Sequence, residues 1–224
     1  MKKYKFETHA HTAESSDCSS ISSKELVKRY KKAGFDGIAI TDHLYDGAIG
    51  LAGSSWDACI DKILRGYKNA KRLGDKLGLL VVLGVELTFT DYDTRDFLIY
   101  GIDEDFLRKN PLLPMLDPPE FYKRYRDELL IIQAHPYRGG NELVFPTCVH
   151  GVEVYNGHHW HDNRNEKARA LWESNPELLP LSGSDTHQTG GVGAGWISFD
   201  EPVTDSMQFR DLVKKREYTF YDNP

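Results

Sequence analysis

Cysteine is scarce: three residues in 224, at positions 18, 59 and 148, odd in number and without a C-x-x-C pair. That pattern suggests neither a disulfide framework nor a thiolate zinc site, and the thiols are expected to be reduced and mostly structural. Long apolar runs are also missing, since nothing approaches the roughly 18 to 20 residues needed to cross a bilayer. The charged opening MKKYKFE leads into no signal-peptide core, so a cytoplasmic protein without membrane contact is expected. There is no basic excess either, and a net charge of −6 argues against a stable nucleic-acid complex. It leaves room for an anionic substrate, because bound divalent cations would invert the local field. No Pro/Gly/Ser-rich linker, internal repeat or low-complexity segment divides the chain, and residues 1–224 are expected to form one domain. Oligomeric state is not readable at this level.

What is present is an alternation of two periodicities. Nearly continuous apolar runs at 4–9, 37–41, 79–87, 97–101, 129–134, 151–155, 178–183 and 195–199 read as strands of a covered, mainly parallel sheet. Between them lie helical stretches. SSKELVKRYKKAG carries Ser22 and Glu25 in a capping-box arrangement and stops at Gly34. SWDACIDKILRGYKNAKRLGDKLG places Trp56, Ile60, Ile63, Leu64, Tyr67 and Ala70 on one face. NRNEKARALWES and SMQFRDLVKKRE complete the set. Seven or eight strands alternating with helices predict an α/β barrel rather than an open sheet. The proline-rich stretch 102–120 is expected as a surface excursion.

Position turns scattered polar residues into one candidate site. His9, His11, His43, His135 and His187 fall at or just beyond predicted strand ends, joined by the acids Glu86 and Asp185. In a parallel α/β fold those ends share one face, where such folds place their chemistry. His9 and His11, two apart on an extended strand, project together. Glu86 closes an otherwise apolar run, and a cation is its natural partner. Imidazole and carboxylate together suit Zn, Mn or Fe in a catalytic rather than a structural site. Asp17, in a Ser/Asp cluster, is a further candidate, although such a cluster is also ordinary turn chemistry.

THAHT, ITDH, GVE, AHPYR and LSGSDTH, in that order between residues 8 and 195, resemble the motifs of the polymerase and histidinol phosphatase (PHP) superfamily. The resemblance implies a distorted (β/α)7 barrel of the TIM-barrel type, with up to three divalent metals at the strand ends. Carried over by position, it implies that His9, His11, Glu86 and Asp185 bind one metal and that Glu86 bridges to a second, shared with His135. Asp17, His43 and His187 would hold a third. Where many relatives supply a further histidine this chain has Asp96, so either Asp96 is a carboxylate ligand or the second metal is held less tightly; two or three ions are expected.

The expected function is a metal-dependent phosphoesterase that hydrolyses a small phosphomonoester or phosphodiester with a metal-activated hydroxide, without a covalent phospho-enzyme. A nucleotide or an oligonucleotide end is among the open substrates. Arg138 is placed to grip a phosphate oxygen. Glu153 and Asn156 are candidates for orienting ligands or substrate, and one of the loop histidines His158, His159 and His161 is expected to protonate a leaving group, with Asn156 and His159 counted beside Arg138 as candidate catalytic residues. Two alternatives stand beside this: an amidohydrolase-like enzyme on the same metals, and a non-catalytic metal-stabilised module. The Asp91-x-Asp93 string, which resembles an aspartyl-phosphate motif, has Arg95 where a hydroxyl is required and reads as a solvated turn. Loops 44–55 and 102–120 are expected to set specificity.

Overall fold

The computed structural model describes residues 2–47, 55–92, 95–111 and 113–221. Ten strands are found among them: β1 (Tyr4–Glu7), β2 (Gly37–Ile40), β3 (His43–Leu44), β4 (Leu80–Thr88), β5 (Asp96–Tyr100), β6 (Leu130–Gln133), β7 (Gly151–Asn156), β8 (Leu179–Gly183), β9 (Ile197–Phe199) and β10 (Thr219–Phe220). They form one sheet in the order β10-β9-β1-β2-β4-β5-β6-β7-β8, with β3 paired beside β4. The sheet curls until its two ends meet. Ala10 bridges to Thr186 beyond the ends of β1 and β8, and Thr8 Oγ1 donates to the Ser182 carbonyl at 2.9 Å. The result is a distorted, nearly closed barrel, as expected.

The strands are less uniformly parallel than the apolar runs suggest. β1–β2–β4 and β6–β7–β8 are parallel, whereas β5 is antiparallel to both β4 and β6, and β9 is antiparallel to β1. The cause is chain length: only residues 89–95 separate β4 from β5, and a parallel crossover needs a dozen or more. The reversal sets the first residue of β5, Asp96, opposite Thr88 at the end of β4. A strand's beginning thus joins the rim formed by its neighbours' ends.

Helices cover the outside. α1 (Ser23–Lys32) starts where the Ser22 side chain accepts from the Glu25 amide at 3.3 Å and buries Leu26, Val27 and Tyr30. Gly34, at φ +80°, lets the chain turn away, a conformation costly for residues with a Cβ. α2 (Trp56–Leu77) is capped by Ser55, ends at left-handed Gly78 and buries Ile60, Ile63, Leu64 and Ala70. α5 (Asn165–Ser174) and α6 (Ser206–Lys214) match the remaining helical expectations. Segment 102–120 is not an excursion. It forms α3 (Glu104–Lys109) and the start of α4 (Pro118–Tyr125), and it drives Leu107 and Leu113 into the core because its apolar residues follow the cap Asp103 at helical spacing. No helix among the described residues is long and apolar enough to cross a membrane.

β4 shows how packing aims the chemistry. Leu83, Val85 and Leu87 pack in the cluster shared with α2, while Val82 packs in the other, with Leu98, Tyr100, Leu130 and Leu181. Alternation along the strand therefore turns Glu86, of the same parity as Val82, inward at the rim.

Two predictions follow from this packing. A Cβ at Gly66, midway along α2, would meet Thr12 Oγ1 at 1.9 Å and Asp42 Oδ2 at 2.8 Å. Gly66→Ala should therefore destabilise the protein in urea by about 1–3 kcal/mol, reversing the gain of about 1 kcal/mol expected for alanine in an open helix. His150 Nδ1 accepts from the Ile131 amide at 3.1 Å and its Nε2 faces the Arg126 carbonyl at 2.9 Å. Burial, aided by Lys214, pushes its pKa down to about 4 from 6.5. The unfolded chain takes up this proton first, so the contribution is full above 6.5 and is lost as pH falls through about 4. Between those values the urea midpoint of His150→Gln should decline less steeply than that of the wild type.

Candidate metal centre

Glu86 lies at the middle of the inward-facing rim. Its carboxylate is 2.9 Å from His135 Nε2, 3.0 Å from His43 Nδ1, 3.3 Å from His11 Nε2 and 3.4 Å from His9 Nε2. Four imidazoles from three segments thus surround one buried carboxylate. Burial would raise its pKa, but His9 and His43 hold it well below the usual carboxylate range.

His9 and His11 do converge, with their Nε2 atoms 3.1 Å apart. The outer nitrogens fix their tautomers: His9 Nδ1 faces Glu153 Oε1 at 3.0 Å, and His11 Nδ1 faces Ser16 Oγ at 3.4 Å, a hydroxyl itself donated to Asp42. With protons on the Nδ1 side, two lone pairs face each other. Such an arrangement requires positive charge between or upon the rings. Although burial opposes it, the carboxylates of Asp185, Glu153 and Glu86 raise the His9 pKa well above its ordinary value, which is the same demand seen from the acids.

Asp185 completes the inner set. Arg138 Nη2 and Asn156 Nδ2 donate to its Oδ2, whereas the buried Oδ1 has no donor. That bare oxygen lies 3.3 Å from His11 Nε2 and 3.5 Å from His9 Nε2. Ligand-type atoms come within 4.8 Å of one another in three groups: His9–His11–Asp185, His9–Glu86–His135 and His11–His43–His187. The orphaned oxygen, the facing lone pairs and the imidazole–carboxylate chemistry all fit divalent cations. His135 and Asp185 have positive φ, 24° and 50°, and such backbone strain clusters at functional sites.

The remaining expected residues are placed as follows. Asp96 accepts from the Thr88 hydroxyl through Oδ1 at 2.5 Å and turns Oδ2 toward His135 Nε2 at 3.8 Å. Burial and the Glu86 charge raise its pKa. Asp17 is not in the cluster: its side chain is 66% exposed and pairs with Lys62 at 3.0 Å. His187 packs on His11, with ring centroids 4.2 Å apart, and its Nδ1 lies 3.1 Å from the Asp185 carbonyl. Arg138 and Asn156 stand behind Asp185, Arg138 Nε on Asn163 Oδ1 at 2.8 Å and Asn156 Nδ2 on Glu153 Oε2 at 2.8 Å. His159 faces outward to Gln188 at 3.1 Å. It is His158 that is buried against His187, centroids 5.1 Å apart, and burial pushes its pKa down to about 4. Asp93 and residues 48–54 lie outside the described residues.

Three supporting residues escaped the sequence reading. Asp42 accepts from the Thr12 amide, the Thr12 hydroxyl and the Ser16 hydroxyl, each at 2.7 Å, and so shapes the turn after His11. Buried Glu7 accepts from the amides of His9 and Ser184 at 2.9 Å and from Tyr30 Oη at 2.5 Å. Burial outweighs these bonds and brings its pKa up to about 7. Cys18 is the third: against partial burial, the neighbouring His187 and His43 bring its thiol pKa down to about 6. The signal for Asp42 was its place inside ITDH; Glu7 depends on Tyr30, which no local spacing announces.

Beside His43 and Asp96 opens a cavity of about 710 Å³, lined among others by Ser16, Cys18, Tyr45 and Phe89. Its size suits a small organic ligand.

Comparison with known proteins bears on the fold and the family. No curated protein matched the sequence. A two-domain protein from Bacteroides vulgatus, described as containing a PHP-like metal-dependent phosphoesterase, superposes with a TM-score of 0.70 at 19% identity, over 98% of this chain and 65% of that one. The chain thus spans about two thirds of that protein. PsfC from Pseudomonas syringae gives 0.68 at 16% identity, over 100% and 93% of the two chains. An amidohydrolase from Chromobacterium violaceum, with bound sulfate and no metal, gives 0.56 at 14%, over 96% and 97%. At these identities the likeness speaks for the fold. The PHP domain model matches residues 7–184, a span that runs from the Glu7 clamp to the segment bearing Asp185, and the chain belongs to the PHP domain family.

Proposed function

We propose that the protein is a phosphoesterase that hydrolyses a small phosphomonoester or phosphodiester at two or three divalent cations. The observation that carries this reading is the facing pair of His9 and His11 nitrogens beside the donorless Asp185 oxygen, an arrangement that needs cations to hold together. In this assignment His9, His11, Glu86 and Asp185 hold one ion. Glu86 would also serve a second together with His135 and Asp96, and His43 and His187 would belong to a third. Zn, Mn and Fe all suit such donors. When bound, cations of this kind supply an ionised water and neutralise phosphoryl charge.

The chain's own residues do the positioning. Glu153 keeps His9 in the tautomer that presents Nε2 and also holds the His135 amide at 3.0 Å. Arg138 and Asn156 restrain one Asp185 oxygen so that the other stays turned to the cluster. The adjoining cavity receives the organic part of the ester, and its volume accommodates a group of about nucleoside size. His158 packs beside His187 at the rim, whereas His159 faces outward; with its pKa near 4, His158 serves as a neutral hydrogen-bonding group rather than as an acid. The family membership and the Bacteroides neighbour support phosphorus as the reacting centre; the Chromobacterium neighbour favours a second reading, hydrolysis of an amide on the same metals.

Incubating the metal-loaded protein with parallel panels of phosphoesters and amides should give release of inorganic phosphate or of an alcohol from the first panel, abolished by chelator and in His135→Ala. Turnover confined to the amide panel would transfer the site to the second reading. Glu153→Gln should lower metal affinity about 10–100-fold, the usual effect of altering a partner behind a ligand, with the circular-dichroism spectrum unchanged; full metal content in that variant would contradict the positioning role.

A further inference from the structure

Loop 157–163, which follows β7, carries four rings in succession: His158, His159, Trp160 and His161. It is pinned although its tip faces solvent. Asn163, 6% exposed, donates through Nδ2 to the carbonyls of Asn156 at 3.2 Å and His158 at 2.8 Å, and its Oδ1 accepts from Arg138 Nε at 2.8 Å. Arg138 in turn donates to Asp185, so one guanidinium sets both the loop and a residue of the inner cluster. Two features of the loop stand uncompensated. Trp160 is 62% exposed, more than any other large apolar side chain among the described residues, and covering such a surface is favourable. His158, 8% exposed, has a buried Nδ1 without a hydrogen-bond partner, a costly exception of the kind that calls for an explanation.

The rings run in contact to the metal centre. Trp160 and His158 meet edge to face with centroids 5.7 Å apart, and His158 meets His187 in the same way at 5.1 Å. His187 belongs to the outer group with His11 and His43. The cavity reaches that group through a different member, His43. Two surfaces fit for organic groups therefore abut one set of ligand-type atoms.

We propose that the substrate is a phosphodiester with two organic groups, one in the cavity beside His43 and the other, a planar heterocycle, stacked on Trp160. This rests on the phosphoesterase reading above and decides between its two ester classes. A monoester has one organic group and covers one of the two surfaces, whereas a diester covers both. The exposed indole presents a flat π face that suits a heterocycle, and His158 beside it retains an unmet hydrogen-bonding capacity. Trp160 is thus a specificity residue, in contact with the substrate but not with the reacting atoms. Hydrolysis adds one water: its oxygen bonds to phosphorus, one P–O ester bond breaks, a proton goes to the departing alcohol, and a monoester of the other group remains.

Two chromogenic substrates test this on the metal-loaded full chain: p-nitrophenyl phosphate, a monoester, and the p-nitrophenyl ester of thymidine 5′-phosphate, a diester that adds a planar base. The wild type should have the higher kcat/KM on the diester. Trp160→Ala should cut the diester-to-monoester ratio about tenfold, the scale of losing one base–aromatic stack, and Trp160→Phe, which keeps a ring, should restore most of it. The side chain is exposed, so both variants should fold, and a general loss of structure lowers both rates without moving their ratio in this way. As a readout without turnover, a slowly cleaved dithymidine phosphorothioate should quench tryptophan fluorescence in the wild type and not in Trp160→Phe. A ratio unmoved in Trp160→Ala, a wild type that prefers the monoester, or quenching that persists in Trp160→Phe overturns the diester assignment while leaving the phosphoesterase reading intact. Failure to cleave the diester also overturns it, and the broader reading is then decided separately by the phosphoester panel.

Discussion

Everything at the rim depends on one carboxylate, Glu86, held where a carboxylate should not be. It ends a strand whose residues 81–87 are all buried, and an isolated charge in such surroundings would cost several kcal/mol or more. The fold compensates by delivering imidazoles from the ends of β1, β3 and β6, all within 3.4 Å. The charge therefore does not weaken the strand so much as specify what must be brought to it. Because β3 pairs with β4 in register, His43 opposite Glu86, part of that delivery is made by the sheet itself.

A second carboxylate supports the first from behind. Glu7 binds the amides of His9 and Ser184, and Tyr30 from α1 closes over it. Two ligand-bearing segments far apart in the chain are thus fixed to the same anchor before any cation arrives. Glu153 does the same for His9 and the His135 backbone. Left-handed backbone at His135 and Asp185 is tolerated because these anchors over-determine it.

Much of this could be read from the chain. The barrel, the helix starts at Ser22 and Ser55, and the strand-end positions of His9, His11, His43, Glu86, His135, Asp185 and His187 all follow from periodicity and local capping chemistry. Asp96 was harder, because its place at the rim comes from the reversal of β5; the short connection 89–95 carried that information, but the apolar run itself did not. The outward turn of Asp17 and the burial of His158 rather than His159 were not legible. Each depends on which neighbour of a pair faces in, and that is decided by tertiary hydrogen bonds to residues such as Asp42, Lys62 and His187 rather than by the residue's own type.

The closure of the barrel has a consequence for the order of events during synthesis. Glu7 and Ser184 lie 177 positions apart, and Asp185, the last acid to join His9 and His11, is made only when nearly the whole polypeptide exists. Contacts this remote fold slowly, and until they form the pair has Glu86 but not Asp185 beside it. Completion of the His9–His11–Asp185 group is therefore coupled to β8, the strand that delivers Asp185.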